Sequence, residues 1–408
     1  MSGVASASSD APAPKRKTGA PRKHTVAKVV LISSVVLAMV TALGVVFLVR
    51  HLNGNLNVED LTPALGPEEE RPQRTGPEGD LNILVMGSDT REGEGNGIDA
   101  EDPDNGARSD TTVLLHLSAD RERAYGISIP RDSLVTRPDC GEDDEISGAE
   151  SEMWNDAFAL GGPACTIRQV EATTGVRIDN YVVVDFNGFK DMVDAVGGVP
   201  VCIPKDIEDP KTGINIDAGE REIRGDEALD YVRVRSSVGN ESDLGRIKRQ
   251  QTFMAAMIKK VASAETLARP DRLVRFLSAV TKSLKTDFES VRDLAGLGLQ
   301  LQDIGLDKVQ FVTVPWEYTP NYRVLWRPEA EQLWKKIIAD EPLSSRQTDT
   351  AVKAAEAPGP ETPSPSASPS ESATESPTPT PTPTETETLT PEETEEAEAE
   401  AEANGLCA

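Results

Sequence analysis

The sequence is poor in histidine, cysteine and aromatic residues. It contains 3 His and 4 Cys among 408 residues, and aromatic residues make up 4%. No cysteine has metal-ligand spacing, so a zinc site is not expected. His24 precedes a long apolar run, His51 directly follows it, and His116 lies within a predicted strand, which argues against a Ser-His-Asp triad. A net charge of −27 lacks the cation density that general nucleic-acid binding requires, so that class is excluded as well.

Charge and apolar residues are unevenly distributed near the start of the chain. Residues 1–28 hold six Lys and Arg against one Asp, and residues 29–49 carry no charge. The uncharged run is long enough for a single transmembrane helix. A cleaved signal peptide has a shorter apolar region and a small-residue cleavage site, whereas Arg50 and His51 follow here. The basic cluster predicts a cytoplasmic segment 1–28 and an extracellular remainder after residue 50.

Two further regions have the composition of extended chain. Residues 50–78 are poor in apolar residues and are predicted to be a linker. Residues 343–408 contain repeated Pro-Thr and Glu-Ala dipeptides and are predicted to be a disordered Pro/Thr/Glu-rich tail. Residues 79–342 are then predicted to form one sizeable domain.

The extracellular side is an oxidising compartment in which cysteines can pair. Cys140 and Cys165 are the preferred pair. The partner of Cys202 is open, because Cys407 at the end of the chain reaches it only if the tail folds back.

Strand and helix patterns alternate through the domain. Strands are predicted at 82–86, 112–117, 124–129, 181–186, 199–203, 231–234 and 309–314. Helices are predicted at 163–173, 187–196, 244–264, 271–284, 291–301 and 329–339. The alternation indicates an α/β or α+β sheet that is covered on its faces.

Arginine and aspartate recur together at the predicted ends of strands, where α/β folds gather ligand groups. The pairs are Asp89 with Arg91, Arg108 with Asp110, and Arg131 with Asp132. One such pair alone is typical of a surface ion pair of little energetic value. Three pairs at three strand ends favour a binding site instead. Arginine suits phosphate because its planar fork bonds oxygens in pairs, and paired aspartates suit Mg²⁺.

Two further arginine groups follow. Along Tyr231–Arg235 a strand period of two places Arg233 and Arg235 on one face. Asp226 and Asp230 are the ordinary partners for these cations, and a bound phosphate is the alternative. On the next helix Arg246, Arg249 and Gln250 lie beside an apolar stripe, an arrangement that suits an amphiphile with an anionic head. The alternative is a solvated charged face.

The ordered motifs resemble those of the LytR-CpsA-Psr family, of the actinobacterial sort. The resemblance covers about residues 79–270 and rests on the following segments: Gly87-Ser88-Asp89-Thr90-Arg91, Arg108-Ser109-Asp110-Thr111, Ile129-Pro130-Arg131-Asp132, 155–162, 184–189, 194–199, 209–213, 231–235 and 243–251. It implies an α/β/α sandwich that encloses an apolar pocket for a polyprenyl chain. It also implies a phosphotransferase that moves a glycopolymer from a polyprenyl-pyrophosphate carrier to peptidoglycan through a phosphodiester.

The resemblance also implies roles for single residues. Asp89 and Asp110 would hold Mg²⁺ (or Mn²⁺). The implied catalytic residues are Asp89, Arg91, Arg108, Asp110, Arg131, Asp132, Arg233 and Arg235, and the implied substrate-binding residues are Asn155, Arg246, Arg249 and Gln250. Asp132 and Asp89 are both candidates for the group that accepts or orients the proton of the acceptor hydroxyl.

The chain departs from the family pattern at two positions. Relatives often carry Lys where this chain has Met153, so one expected cation is missing. Many relatives with cysteines place one where this chain has Glu220, which leaves the partner of Cys202 open.

Two other functions remain consistent with the same residues. One is a non-catalytic, membrane-anchored protein that binds polyprenyl phosphate or has a regulatory role. The other is a pyrophosphatase that uses water as the acceptor. The short segment 1–28 is too small for a DNA-binding fold, which argues against direct transcriptional control.

Overall fold

The computed structural model describes residues 25–88, 109–210, 212–234, 243–321, 323–359 and 406–407. The chain forms two compact units, Met1–His51 and Leu52–Ala408. The first unit contains most of α1 (Thr25–Asn53), an apolar helix long enough to cross a membrane. In the described part of the chain it is the one helix that qualifies, and it includes the predicted span 29–49.

The second unit contains the remaining helices and all strands. The helices are α2 (Asp156–Thr174), α3 (Phe186–Ala195), α4 (Gly225–Arg233), α5 (Asp243–Ala262), α6 (Ala264–Leu267), α7 (Pro270–Ser283), α8 (Val291–Ile304), α9 (Glu329–Ile338) and α10 (Ser345–Thr348). The strands are β1 (Asn57–Val58), β2 (Leu81–Ser88), β3 (Ser109–Leu117), β4 (Ala124–Ile129), β5 (Leu134–Arg137), β6 (Ala149–Met153), β7 (Asn180–Asp185), β8 (Val199–Ile203), β9 (Ile207–Asp209), β10 (Ile214–Ile216), β11 (Gly219–Ile223), β12 (Leu284–Thr286), β13 (Val309–Thr313), β14 (Trp316–Tyr318), β15 (Val324–Trp326) and β16 (Val352–Lys353).

A mixed eight-stranded sheet organises this unit, in the order β1-β12-β7-β2-β3-β4-β13-β16. Strand β2 runs parallel to β7, and β4 runs parallel to β13. Strand β3 is antiparallel to both of its neighbours, β2 and β4. The ends of β2, β4, β7 and β13 therefore meet the start of β3 at one edge of the sheet, which is called the catalytic edge below.

Helices cover both faces of the sheet. On one face Val193 of α3, Leu229 of α4 and Phe253 of α5 belong to a buried cluster. On the other face Ile167 of α2 and Trp334 of α9 pack against the central strands. The predicted α/β/α sandwich is confirmed. Apolar burial on both faces supplies most of its driving force.

The predicted strand 231–234 is wrong, because these residues continue and end helix α4. Ala228, Leu229, Tyr231 and Val232 are all buried, and their spacing fits one face of a helix. Acidic residues in the first turn and Arg233 in the last turn complement the helix dipole. Four residues are too few for a period of two to be distinguished from a period of 3.6.

The described residues that follow α1 within the predicted linker 50–78 pack on the domain rather than forming a free stalk. Strand β1 pairs with β12, and the hydroxyl of Tyr181 donates to the carbonyl of Glu59 at 2.9 Å. Arg71 Nε and Nη2 donate to Glu171 of α2 at 2.9 and 2.6 Å. The prediction failed because the segment is held by hydrogen bonds and ion pairs, which a low apolar content does not reveal.

The predicted tail also begins too early. Strand β16 pairs with β13, and Ala354 is completely buried. Lys259 Nζ donates to the carbonyls of Ala355 and Ala357 at 2.9 and 2.8 Å. Residues 343–359 thus belong to the domain. Small alanines let the backbone approach α5 closely, which composition averaged over 343–408 hides.

The structure contains two disulfides. Cys140 is joined to Cys165 as predicted, with a Cα–Cα distance of 5.2 Å. Cys202 is joined to Cys407, with a Cα–Cα distance of 5.6 Å. Cys202 lies directly opposite Glu220 in the β8–β11 pair, so the end of the chain supplies the partner that many relatives place at position 220.

Removal of the Glu171 carboxylate is expected to destabilise the second unit strongly. Glu171→Ala leaves Arg71 buried without its carboxylate, at a cost of about 3–5 kcal/mol. The control is Glu68→Ala, since the Glu68 side chain is 69% exposed and its pair with Arg177 is worth about 1 kcal/mol or less. Urea unfolding followed by tryptophan fluorescence measures both values. Equal losses for the two variants would contradict the assigned role of the Arg71–Glu171 pair.

Both disulfides are expected in the protein purified without reductant. Peptide mass spectrometry of a non-reduced digest should recover Cys140 with Cys165 and Cys202 with Cys407. Cys407→Ser should expose one reactive thiol per chain, at Cys202, without affecting the other bridge. Recovery of mixed pairings from folded wild-type protein would contradict the placement of the chain end on β8.

Candidate active site

Asp110, at the start of β3, lies between two guanidinium groups. Arg131 Nη1 donates to Asp110 Oδ1. Arg246 of α5 donates from Nη2 to the Asp110 carbonyl at 3.3 Å, and its Nη1 lies 3.9 Å from Asp110 Oδ2. The structure therefore brings together one aspartate and two arginines that the sequence places far apart.

Arg131 follows β4 and has Asp132 and Asn155 as neighbours. Its Nε lies 3.9 Å from Asp132 Oδ2, and its carbonyl accepts from the backbone N–H of Asn155 at 3.2 Å. Asn155 is buried, and no described residue offers its Oδ1 a hydrogen bond. A buried amide oxygen needs a donor, so it is suited to a ligand or a bound water at this edge.

Helix α5 carries the other predicted binding residues towards the end of α4. Arg249 donates from Nη2 to the carbonyl of Val234. Gln250 donates from Nε2 to the carbonyl of Val232 at 3.1 Å. Arg246 and Arg249 are only 2% and 1% exposed, so they do not form the solvated helix face that was the alternative.

Arg233 ends α4 and faces an aromatic ring at the catalytic edge. Its Cζ lies 4.5 Å from the centroid of the Phe186 ring, within cation–π range. Phe186 follows Asp185, whose side chain accepts from the backbone N–H of Gly188 at 2.6 Å and caps α3. The cap fixes the end of β7 and with it the ring that Arg233 contacts.

Burial changes the titration of two side chains next to this arrangement. Desolvation lowers the pKa of the Arg249 guanidinium, and the nearby Tyr231 opposes the shift. Burial also raises the pKa of Tyr231 to about 12, and Arg249 opposes that shift. Both effects indicate a low local dielectric, in which an added anion would interact strongly with the guanidinium.

The two aspartates proposed from the sequence as partners of Arg233, Asp226 and Asp230, have different environments. Asp226 is exposed and pairs with Lys190 at 3.0 Å rather than with an arginine. Burial raises the pKa of Asp230, and Arg233 lowers it in opposition. Of the two partners proposed for Arg233 from the sequence, Asp230 is the one whose pKa the guanidinium lowers.

Four predicted site residues lie outside the described residues: Asp89, Arg91, Arg108 and Arg235. Ser88, the residue before Asp89, pairs with both Ser109 and Asp185 at the catalytic edge. Within the described ranges no group of three or more His, Cys, Asp or Glu side chains is arranged to hold a metal ion. Of the two aspartates predicted to hold the metal, Asp89 and Asp110, only Asp110 is among the described residues.

Sequence reasoning missed two residues that the structure places here. Gln251 is buried and donates from Nε2 to the hydroxyls of Ser128 and Thr313, each at 3.0 Å. It joins α5 to the ends of β4 and β13. Arg323 Nη1 lies 3.9 Å from Asp132 Oδ1. The adjacent glutamine of the 243–251 motif was an available signal for Gln251, whereas nothing near Arg323 in the sequence marks it.

The fold and this edge define a three-layer α/β protein with an arginine-rich site. The LytR_cpsA_psr family model matches residues 50–338, and the chain belongs to this family. It is 30% identical over 334 residues to the cell wall biosynthesis protein LcpA of Corynebacterium glutamicum, covering 75% of this chain and 62% of that protein. It is also 30% identical to the polyisoprenyl-teichoic acid–peptidoglycan teichoic acid transferase TagV of Bacillus subtilis, covering 56% of this chain and 58% of that protein.

A solved structure has a similar fold. The LytR-Csp2A-Psr enzyme from Actinomyces oris superposes with a TM-score of 0.52 at 20% identity, over 66% of this chain and 93% of that chain. At this identity the likeness supports the fold alone. The chain spans roughly three fifths of the lengths of the two curated relatives, 62% and 58%.

Replacement of the two adjacent glutamines, Gln250 and Gln251, should lower stability by unequal amounts. Gln251→Ala removes two buried hydrogen bonds and is expected to lower the free energy of unfolding by about 1–3 kcal/mol. Gln250→Ala removes one bond from a half-buried side chain, and a loss of about 0.5–1.5 kcal/mol is expected. Urea unfolding gives both values. A larger loss for Gln250→Ala would contradict the bridging role of Gln251.

Proposed function

We propose that this protein transfers a glycopolymer from a polyprenyl-pyrophosphate carrier to a peptidoglycan hydroxyl and forms a phosphodiester. The carrier would leave as polyprenyl phosphate. The names of the relatives support this class of reaction, since one is a teichoic acid transferase and another a cell wall biosynthesis protein. The described residues at the catalytic edge support the chemistry.

Two buried guanidinium groups and one half-buried group carry the proposal. Arg246 and Arg249 are buried and Arg131 is half-buried, and Asp110 lies near two of the three. A diphosphate would bring additional negative charge to cations that are already desolvated, where electrostatic stabilisation is strongest. Guanidinium groups also bond phosphate oxygens in pairs and stay charged at physiological pH.

The helix that carries Arg246 and Arg249 also carries apolar side chains, as a lipid carrier requires. The hydrophobic cluster on this face of the sheet has half-buried residues of α5, α7 and α8 packed against it: Met254, Met257, Ile258, Val261, Phe276, Leu297 and Leu301. Helix α5 presents Arg246 and Arg249 in its first turns and the methionines further on. One helix would therefore contact both the diphosphate and the first part of the polyprenyl chain.

Asp110 fits a role in holding Mg²⁺ (or Mn²⁺), together with Asp89. Its carboxylate is partly exposed and is a hard oxygen ligand of the kind that Mg²⁺ prefers. A site with few protein carboxylates suits Mg²⁺, which commonly keeps waters and substrate phosphate oxygens as its other ligands. When bound, the ion would neutralise charge on the phosphate oxygens.

Asp132 is the residue that we assign to hold the acceptor hydroxyl. It follows Arg131 and is partly exposed, and guanidinium groups lie 3.9 Å from each of its carboxylate oxygens. A carboxylate oxygen can accept a hydrogen bond from a hydroxyl. Arg131 would then stand between the diphosphate on the Asp110 side and the acceptor on the Asp132 side.

We also infer that α1 anchors the protein with residues 1–28 in the cytoplasm and the domain outside. The basic residues before α1 support this orientation through the positive-inside rule. The two disulfides fit an oxidising compartment.

The function is tested with the full-length protein, a polyprenyl-pyrophosphate-linked glycan, peptidoglycan and Mg²⁺. Wild type should release polyprenyl phosphate and attach the glycan to peptidoglycan. Arg246→Met should lower the rate about 100-fold or more, because it removes a buried cation at the developing charge. Arg275→Ala is the matched control, since Arg275 lies exposed on α7 and should leave the rate unchanged.

The products distinguish the competing functions. Free phosphorylated glycan without a wall-linked product would identify a pyrophosphatase. Carrier binding without any product would identify a non-catalytic protein. Chelation of divalent ions should stop transfer and added Mg²⁺ should restore it, whereas full activity in chelator would contradict the metal assignment.

A further inference from the structure

A small hairpin, formed by β14 and β15, is fixed next to Asp132. The backbone N–H of Val324 donates to the carbonyl of Asp132 at 3.1 Å. Trp326 donates from Nε1 to the Ser133 hydroxyl at 3.0 Å, and its ring packs at a tilt against Trp154 and Trp334, with ring centroids 5.8 and 5.7 Å away. Strand β15 is therefore packed against the core, next to the catalytic edge.

Strand β14 of the hairpin carries two aromatic side chains, one of which is exposed. Trp316 and Tyr318 lie on the same face of β14, with ring centroids 4.8 Å apart. Tyr318 is 39% exposed, and outside α1 it is the one aromatic side chain among the large exposed hydrophobic residues that the structure describes. Exposed aromatic rings next to polar groups are typical of recognition surfaces.

The same hairpin directs a cation towards Asp132. Arg323 precedes β15, and its Nη1 contacts the sulfur of Met153 and lies 3.9 Å from Asp132 Oδ1. Its side chain is 45% exposed, so it can reach a ligand in solvent. The backbone of Thr319 donates to the carbonyl of Arg323 at 2.8 Å, which closes the hairpin at this position.

We propose that Trp316, Tyr318 and Arg323 form the binding platform for the acceptor glycan. The proposal rests on the transferase function above and adds the subsite for its acceptor. Aromatic rings stack on the C–H faces of pyranose rings, and Arg323 complements the carboxylates that peptidoglycan carries. The occupant is a carboxylate-bearing glycan strand, whose hydroxyl the platform holds at Asp132.

The geometry separates the acceptor from the donor. Arg131 contacts Asp110 on one side and lies 3.9 Å from Asp132 on the other. Arg246 of α5 lies on the Asp110 side, next to the apolar stripe assigned to the carrier. Arg323 lies on the Asp132 side. A diphosphate bound at Arg246 would therefore reach Arg131 from the Asp110 side. A sugar bound at the hairpin would reach it from the Asp132 side.

Steady-state kinetics of the full-length protein test the platform. Tyr318→Ala and Arg323→Ala should each raise the KM for solubilised peptidoglycan strands about tenfold or more. The KM for the polyprenyl-pyrophosphate donor should stay unchanged. Arg323→Lys should recover part of the loss, because it restores the charge without the planar fork. The control is Leu325→Ala, which alters an exposed side chain on the opposite face of the hairpin and should change neither KM.

A binding measurement without donor separates this proposal from the proposed function. Addition of the same strands should change the tryptophan fluorescence of wild type, and Tyr318→Ala should reduce that response. Strand binding that depends on the hairpin but no transfer by wild type would leave the platform in place and overturn the transferase function. An unchanged acceptor KM in both alanine variants would overturn the platform. It would also be overturned if the variants lost only binding to phospholipid vesicles, which would identify a membrane contact.

Discussion

Burial of a guanidinium group removes it from water, and the desolvation must be balanced by anions and hydrogen-bond acceptors. Arg246 and Arg249 are nearly inaccessible, and burial lowers the pKa of Arg249. Their described partners include the Asp110 carboxylate and two backbone carbonyls, those of Asp110 and Val234. Backbone carbonyls satisfy the donors but do not neutralise the charge. An anionic ligand bound here would interact strongly with these desolvated cations, and the proposed function depends on that interaction.

The sheet topology determines which residues meet at that edge. Because β3 is antiparallel to β2 and β4, its first residues lie beside the last residues of both neighbours. Asp110 therefore lies near Arg131, although a strand and a loop separate them in the sequence. Gln251 then joins helix α5 to the ends of β4 and β13. This attachment positions Arg246, on the same helix, near Asp110. A side chain without a catalytic role thus positions one that is proposed to bind phosphate.

Local patterns in the sequence predicted most of the sandwich, because its central strands and long helices each bury an apolar face. They failed where stability comes from a few long-range polar contacts. Arg71 is held by Glu171, a residue 100 positions away, and Lys259 binds carbonyls that composition assigns to a disordered tail. The ordered motifs named the arginines and aspartates of the proposed site, but not the tertiary contacts that position them. Gln251 and Arg323 act through tertiary contacts that no local pattern records.

Arg323 also bears on the departure at Met153. The family resemblance leads to an expected lysine at that position, and this chain has a thioether instead. The guanidinium of Arg323 contacts the Met153 sulfur and lies near Asp132, so a cation from a distant hairpin lies where the local one is missing. Because the cation comes from the hairpin of β14 and β15 rather than from β6, its position is linked to the rings of Trp316 and Tyr318. In the proposed platform, charge and aromatic surface therefore belong to one hairpin, which would relate the departure at Met153 to recognition of the acceptor.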